Sequence, residues 1–431
     1  MTERTIAVDY LARVEGEGSL HVKLEDGRVD HVELRIFEPP RFFEAFLRGR
    51  MYTEAPDITA RICGICPVAY QMSAVHAMER AYGISVRGSL RELRRLLYCG
   101  EWIESHALHV YLLHTPDFLG YPDAVRMAKD DPETVKRGLA LKKTGNAIMQ
   151  LLGGREIHPI NVRVGGFYRV PSREEVESLR PTLESALEIA EETVHFAAGL
   201  PFPDAEEDYE FVALQHPDEY PMNEGEIVSS RGLRVSAARF DEAFERAPVA
   251  YTHALQSVRK GGTPYLVGAL ARYALNGSRL SARARSAAHA VGLEPVVRNP
   301  FRSILVRGIE MVYACEEALR IVSSYRPPES AWVEPTGEFH GGVCAAATEA
   351  PRGLLYHRYQ LAPDGRIESA EIIAPTAQNQ KRIEEDVRHV VERSLALDDA
   401  HLTDLCERAI RNHDPCISCA THFLKLEVER S

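Results

Sequence analysis

Two pairs of cysteines carry the strongest chemical signal in the chain. Cys63 and Cys66 form a CxxC near the start, and Cys416 and Cys419 form another near the end. Four thiolates are a soft donor set, suited to zinc, to an iron–sulfur cluster, or to nickel with iron. The knuckles of a zinc ribbon are usually roughly 15–20 residues apart. Here about 350 residues intervene. One metal held by both pairs must therefore sit between the two ends of the chain, inside the core. A disulfide within each CxxC is the redox alternative, but neither pair has the βαβ surroundings that reading needs. Cys99, Cys315, Cys344 and Cys406 have no paired neighbour and read as buried thiols.

Near these pairs in type, though not in sequence, stand groups that move protons or bind anions. Glu15 and Glu17, in RVEGEG at 13–18, are both candidates for a proton-relaying carboxyl, against a plainer role as surface acids of a charged loop. Arg352 in Ala-Pro-Arg-Gly offers hydrogen bonds to an anion from a backbone stiffened by Pro351; a lone arginine is more often half of a surface ion pair. Asp414, before Pro415, suits a turn or an N-cap. His106, His109 and His114 fall at helical spacing and read as packing or hydrogen-bonding residues. GGREIHP at 153–159, with Gly165-Gly166 beyond it, reads as a helix end broken by glycine and proline.

RxCGxC near the start, with DPCxxCxxH at the far end, resembles the large, catalytic subunit of the nickel–iron hydrogenases. The resemblance runs the length of the chain. It takes in RVEGEG, Glu44 in RFFEAFLRGR, GGREIHP, EAPRG at 349–353 and APTAQN at 374–379. RICGICPVAYQMSAVHAME and ESHALHVYLLHTPDFLGY look most like the cytoplasmic, NAD(P)-linked branch that includes the sulfhydrogenases. The resemblance implies reversible heterolytic cleavage of H2 into protons and electrons. It implies nickel with Cys63 and Cys416 as terminal ligands, and Cys66 and Cys419 as bridges to an iron carrying CO and two cyanides. It picks Glu15 over Glu17 as the proton-transfer carboxyl, with the Cys416 thiolate as a first proton acceptor. It sets Arg352 against a cyanide, Pro375 and Thr376 around the diatomic ligands, and Asp414 beside the terminal cysteine.

Further from the centre, the resemblance implies a second metal, magnesium or iron, held by Glu44, His422 and the backbone carbonyl of Leu355. An oxygen-rich, hydrated site suits magnesium. Arg155 and His158 would line the electron exit toward an iron–sulfur small subunit. A flavin-bearing diaphorase, further iron–sulfur subunits, maturation factors and a C-terminal endopeptidase are the other partners implied, with sulfur reduction a side activity of the complex. Three departures stand out. Tyr70 lies four residues after Cys66, where many members carry histidine. Ser105 stands where respiratory members carry aspartate. The chain also continues through 423–431, past the point where the family's precursor is usually cut. An H2-sensing regulatory subunit is the alternative in another functional class. A coupling subunit like the respiratory complex I homologue would lack the cysteines, and a structural zinc protein would lack the iron.

The elements that must position these residues are legible in outline. Leu20, Val22 and Leu24, then Val32, Leu34 and Ile36, alternate around Asp26-Gly27 and predict a hairpin within an N-terminal β region, 1–38. A helical period follows around Phe43, Phe46 and Leu47. Pro67 opens a helix through Met72, Val75 and Met78. This puts the first CxxC at a helix N-terminus, where the dipole favours thiolate. Amphipathic patterns predict helices over 89–114, 136–152, 173–199, 238–258, 279–291, 302–324, 379–395 and 399–412. Residues 200–237 and 325–350 read as loops, and 353–374 as a hairpin turning at Asp364-Gly365. The fold class is mainly α with β additions. The chain reads as one intertwined domain over 1–431, with 423–431 either a tail removed on maturation or one kept, as in a minority of the family that is not cut.

Composition closes several doors. At 45% hydrophobic and 26% charged the chain has the make-up of a soluble globular protein. Its 51 basic and 63 acidic residues leave a net charge of −12, which argues against nonspecific nucleic-acid binding. No apolar run approaches the roughly 18 residues of a membrane span, and a charged start disfavours a signal peptide. A cytoplasmic protein is expected. No GxGxxG followed by an acid is visible, and no further cysteine set suggests a cluster. Nicotinamide chemistry and electron wiring then belong to partner subunits.

Overall fold

The computed structural model describes residues 3–38, 42–335 and 339–421. The chain opens with an antiparallel sheet of β1 (Glu3–Val8), β2 (Gly18–Glu25) and β3 (Arg28–Ile36). The hairpin expected around Asp26-Gly27 is β2–β3. Its inward residues Leu20, Val22, Leu34 and Ile36 are buried, because a strand sends alternate side chains to opposite faces. β1 was not expected; it pairs with the free edge of β2, with Ile6 opposite Val22. The loop between β1 and β2 carries Glu15.

A short helix α1 (Phe43–Leu47) leads to α2 (Pro67–Ala81) and α3 (Gly88–Ala107). The helical turn then widens to a π-helix over Leu108–His114. α3 packs along α4 (Pro132–Gly153) through Gly100 and Gly145. A Cβ on Gly145 would lie 2.7 Å from Glu104 Cβ, so only glycine lets the two backbones approach this closely. α5 (Arg180–Ala198), α6 (Ala269–Asn276) and α7 (Ser303–Ser324) complete the helical layer, with α7 crossing both α3 and α5.

Three sequence expectations fail here. Residues 200–237 include a small antiparallel sheet of β4 (Val212–Gln215), β5 (Glu226–Ser229) and β6 (Arg234–Val235). The helix expected over 238–258 is one turn followed by a hairpin of β7 (Phe244–Pro248) and β8 (Leu255–Arg259). Pro248 cannot sit inside a helix; Phe240 instead stacks on Phe244 and Tyr356, and Phe244 meets Tyr265 at a tilt. The loop expected over 325–350 ends in β9 (Gly342–Ala350). Its alanines have low strand propensity; burial against α2 and pairing with the next strand decide the matter. That strand, β10 (Gly353–Leu361), and β11 (Ile367–Ile373) form the expected second hairpin. α8 (Pro375–Arg393), α9 (Asp399–Arg411) and the single turn α10 (Ile417–Ala420) close the chain. One cluster of buried side chains includes residues from β1 through α10.

Candidate metal centre

Cys63 lies in extended backbone and Cys66 caps the start of α2, with Pro67 in the first helical position. The N–H groups of Ile65 and Cys66 both donate to Cys63 Sγ at 3.3 Å. A hydrogen bond from the Cys66 thiol, aided by the Arg352 guanidinium, holds the Cys63 thiol below the usual range against the opposing cost of burial. That thiol–thiol hydrogen bond, with burial, pushes Cys66 up. Glu101, on α3, reaches the opened turn of α2 and accepts from the N–H groups of Val68 at 2.6 Å and Ala69 at 3.2 Å. It is fully buried and its carboxyl is raised by that burial. Sequence reading missed Glu101; its only signal is an acid on the apolar face of an amphipathic helix.

The second pair arrives from the opposite end of the chain. Arg411 forks onto Asp117 with two contacts of 2.8 Å, and its third nitrogen donates to Ala12 O. His413 Nε2 lies 2.8 Å from Asp386. Asp414 then takes a left-handed φ of 50°, and Arg352 donates to its carbonyl at 2.7 Å and its carboxylate at 3.0 Å. Beyond it, the Cys416 N–H donates to Thr376 Oγ1 at 2.9 Å. Thr376 sits in the first turn of α8, behind Pro375. The Ile417 N–H donates to Glu15 O at 2.8 Å, so Glu15 and Cys416 pair as adjacent extended segments.

These anchors gather one sulfur from each of Cys63, Cys66, Cys416 and Cys419 within 4.8 Å of one another. Cys63 Sγ and Cys416 Sγ are 3.5 Å apart. None of the four residues is more than 9% exposed. Cys416 and Cys419 are bridged as a disulfide, with Cα atoms 5.5 Å apart. The cap and third residue of one turn face the same way, which brings these two sulfurs together. Both must be reduced to act as two thiolate ligands. Glu15 Oε2 lies 3.0 Å from Cys416 Sγ and accepts from the Ser418 N–H at 3.1 Å. Arg352 Nη1 and Asp414 Oδ2 are buried beside the cluster with no hydrogen-bond partner among the described residues. Burial opposes the charge of Arg352, but Asp414, Cys66, Cys63 and Glu15 raise its pKa. Four soft donors, a carboxylate and a guanidinium with spare hydrogen-bonding capacity fit a thiolate-bound metal whose further ligands are anionic.

A family model for nickel-dependent hydrogenases matches residues 41–139 and 301–422. The chain is 37% identical to the alpha subunit of sulfhydrogenase 2 of Pyrococcus furiosus, over 98% of this chain and all of that one. The beta subunit of the NAD-reducing hydrogenase of Cupriavidus necator is 26% identical over 98% of this chain and 95% of its own length. An H2-reduced NAD+-reducing [NiFe]-hydrogenase superposes with a TM-score of 0.88 at 26% identity, covering 97% of this chain and 99% of that one. The chain belongs to the nickel-dependent hydrogenases. It is the catalytic large subunit, and its four gathered cysteines could bind the metal site.

Elsewhere in the hydrogenase the expected residues take several positions. Glu44, on α1, is half-buried; it accepts from the Ile372 N–H at 2.7 Å and lies 3.6 Å from Arg246. Leu355 is buried on β10 opposite Thr348. His422 lies outside the described residues, as does the tail 423–431, so the expected second-metal set is not assembled within them. Tyr70 is fully buried with its hydroxyl unpartnered and its ring against His357; Ser105 Oγ is likewise buried and unpartnered. His106 Nε2 meets Glu310 and His109 Nε2 meets Arg411 O, both at 2.8 Å, while His114 packs between His109 and Phe118. The packing reading of the three histidines holds. His158 has a left-handed φ of 52° and its Nδ1 meets Ala60 O at 2.8 Å, which bends GGREIHP back over the first CxxC.

Proposed function

We propose that this large subunit oxidises H2 in a cytoplasmic complex that passes the electrons to NAD(P). Nickel held by Cys63, Cys66, Cys416 and Cys419, with an iron carrying CO and two cyanides, would supply the Lewis acidity and redox range for heterolytic cleavage of H2. The observation that carries the reading is the 3.0 Å contact between Cys416 Sγ and Glu15 Oε2. A thiolate that takes a proton there hands it to a carboxylate already within hydrogen-bond reach. Glu15 is half-buried and stands at the mouth of the loop, so it links the buried sulfur to the solvent side. Arg352 holds Asp414 in place through its Nε and Nη2, and its unpartnered Nη1 would be free to donate to an anionic iron ligand. Thr376 accepts from the Cys416 N–H, and its own hydroxyl proton would be available to a diatomic ligand.

Electrons leave by another face. Gly64, between the first two cysteines, is exposed, and Ile157 beside it is 57% exposed, with Ile160 and Tyr168 also open to solvent. An apolar patch one residue from a metal ligand suits docking of an iron–sulfur small subunit. A diaphorase would then take the electrons onward. Among the described residues no helix is long and apolar enough to cross a membrane. The complex purified with its partners is expected to reduce NAD+ or NADP+ under H2. H2-dependent reduction of an artificial dye, with neither nucleotide reduced, would assign it to a different carrier.

A further inference from the structure

The outer face of the N-terminal sheet holds a second group of metal-binding side chains, made of nitrogen and oxygen donors rather than sulfur. The strand period puts Leu20, Val22, Val32 and Leu34 inward and leaves His21 on β2 and His31 and Glu33 on β3 half-exposed on the other side. The register sets His21 directly opposite Glu33 and Lys23 opposite His31, so the two histidines are diagonal neighbours on one face. One ligand atom from each of His21, His31 and Glu33 lies within 4.8 Å of the other two.

We propose that His21, His31 and Glu33 form a surface site for a divalent transition-metal ion of the zinc class. His31 Nε2 and Glu33 Oε1 are 3.6 Å apart. That is too far for a hydrogen bond and close to the edge of a tetrahedron, about 3.4 Å, whose metal–ligand bonds are roughly 2.0–2.1 Å. The other nitrogen of His31, Nδ1, is 2.9 Å from Asp30 Oδ2. A carboxylate there accepts a hydrogen bond from Nδ1–H, which leaves the lone pair on Nε2, 3.6 Å from Glu33, the arrangement that orients metal-bound histidines. Arg35 Nε donates to Glu33 Oε2 at 2.6 Å, which fixes the carboxylate and leaves Oε1 for the ion. His21 Nδ1 is shielded from solvent with no hydrogen-bond partner among the described residues. Lys23 stands opposite His31 in the register, and its ammonium donates to Glu25 at 2.5 Å.

Two imidazoles and one carboxylate select zinc, nickel or copper over magnesium and calcium. Three protein ligands leave the fourth position to water, so the ion exchanges. Bound, it ties β2 to β3. β2 begins three residues after Glu15, so the ion also stiffens the strand that anchors the proton-transfer loop.

The test uses the purified complex with its nickel–iron centre loaded, so that the cysteines are already occupied. Titration with Zn2+ is expected to show one further ion per chain, and Co2+ in its place to give ligand-field bands without thiolate charge transfer. His21→Ala and His31→Ala should each weaken binding at least about ten-fold, and Asp30→Asn by about ten-fold through misorientation of His31. Circular dichroism checks that each variant is folded. Zinc uptake unchanged in the His21→Ala/His31→Ala double variant would overturn the site. So would no uptake in the parent, or a cobalt spectrum with thiolate charge transfer.

Discussion

At Cys416 a sulfur, a carboxylate oxygen 3.0 Å away and a backbone N–H on the same oxygen form one small unit. Two acids in RVEGEG compete for that role on composition, the family resemblance picks Glu15, and the geometry agrees: Glu15 faces the sulfur, while Glu17 is exposed. Glu15→Gln keeps the shape and the hydrogen bond from Ser418 but cannot carry a proton. It should lower H2 turnover by roughly 10²–10⁴-fold with nickel and iron content unchanged, whereas Glu17→Gln should stay near the parent rate. Metal analysis beside a dye-linked H2 assay reads both. The cysteines, Glu15, Arg352, Asp414 and Thr376 were all legible because their neighbours in sequence are distinctive. Glu101 was not, because nothing in a sequence tells which acid of a long helix will fold over the N-terminus of another. The βαβ surroundings that favour a CxxC disulfide are missing around both pairs, so the sequence ranks a bridge between Cys416 and Cys419 below metal binding.

Among the elements, α8 is the hinge pin of the centre: its first turn holds Cys416 and its middle holds the N-terminal sheet. Glu384 on α8 accepts from the Leu34 N–H at 3.0 Å, the Tyr251 hydroxyl at 2.9 Å and Gln256 Nε2 at 3.0 Å. Burial raises its pKa from 4.5 to about 7. The folded chain therefore keeps a proton that the unfolded chain gives up between those values. Stability from this group is complete below about pH 4.5 and falls as pH rises through about 7. Glu384→Gln should flatten the dependence of Tm on pH between 5 and 8; an unchanged slope would place the titration elsewhere. A helix with a clear apolar stripe, such as 399–411 with Leu402, Cys406 and Ala409 buried, was legible because local period and tertiary burial agree. The hairpin over 244–259 and the strand 342–350 were not, because long-range pairing overrode the local pattern.

The molecule as a whole brings the loop carrying Glu15 and Gly16, near its start, against Cys416–Ser418, near its end, beside one buried site. Gly16 marks the seam. Its φ is +88°, and a Cβ there would lie 2.7 Å from Ser418 N and 2.8 Å from Ser418 Oγ. Gly16→Ala should push the C-terminal turn away from Glu15 and lower nickel occupancy at least several-fold, with helix content by circular dichroism unchanged. Full occupancy in that variant would show that the seam is looser than the contacts imply. Infrared spectroscopy of the complex, in the window where metal-bound CO and cyanide absorb apart from protein, tests the central claim most directly. One CO band and two cyanide bands that shift under H2 are expected. An empty window in metal-replete complex from a host with maturation factors would contradict a nickel–iron centre on Cys63, Cys66, Cys416 and Cys419.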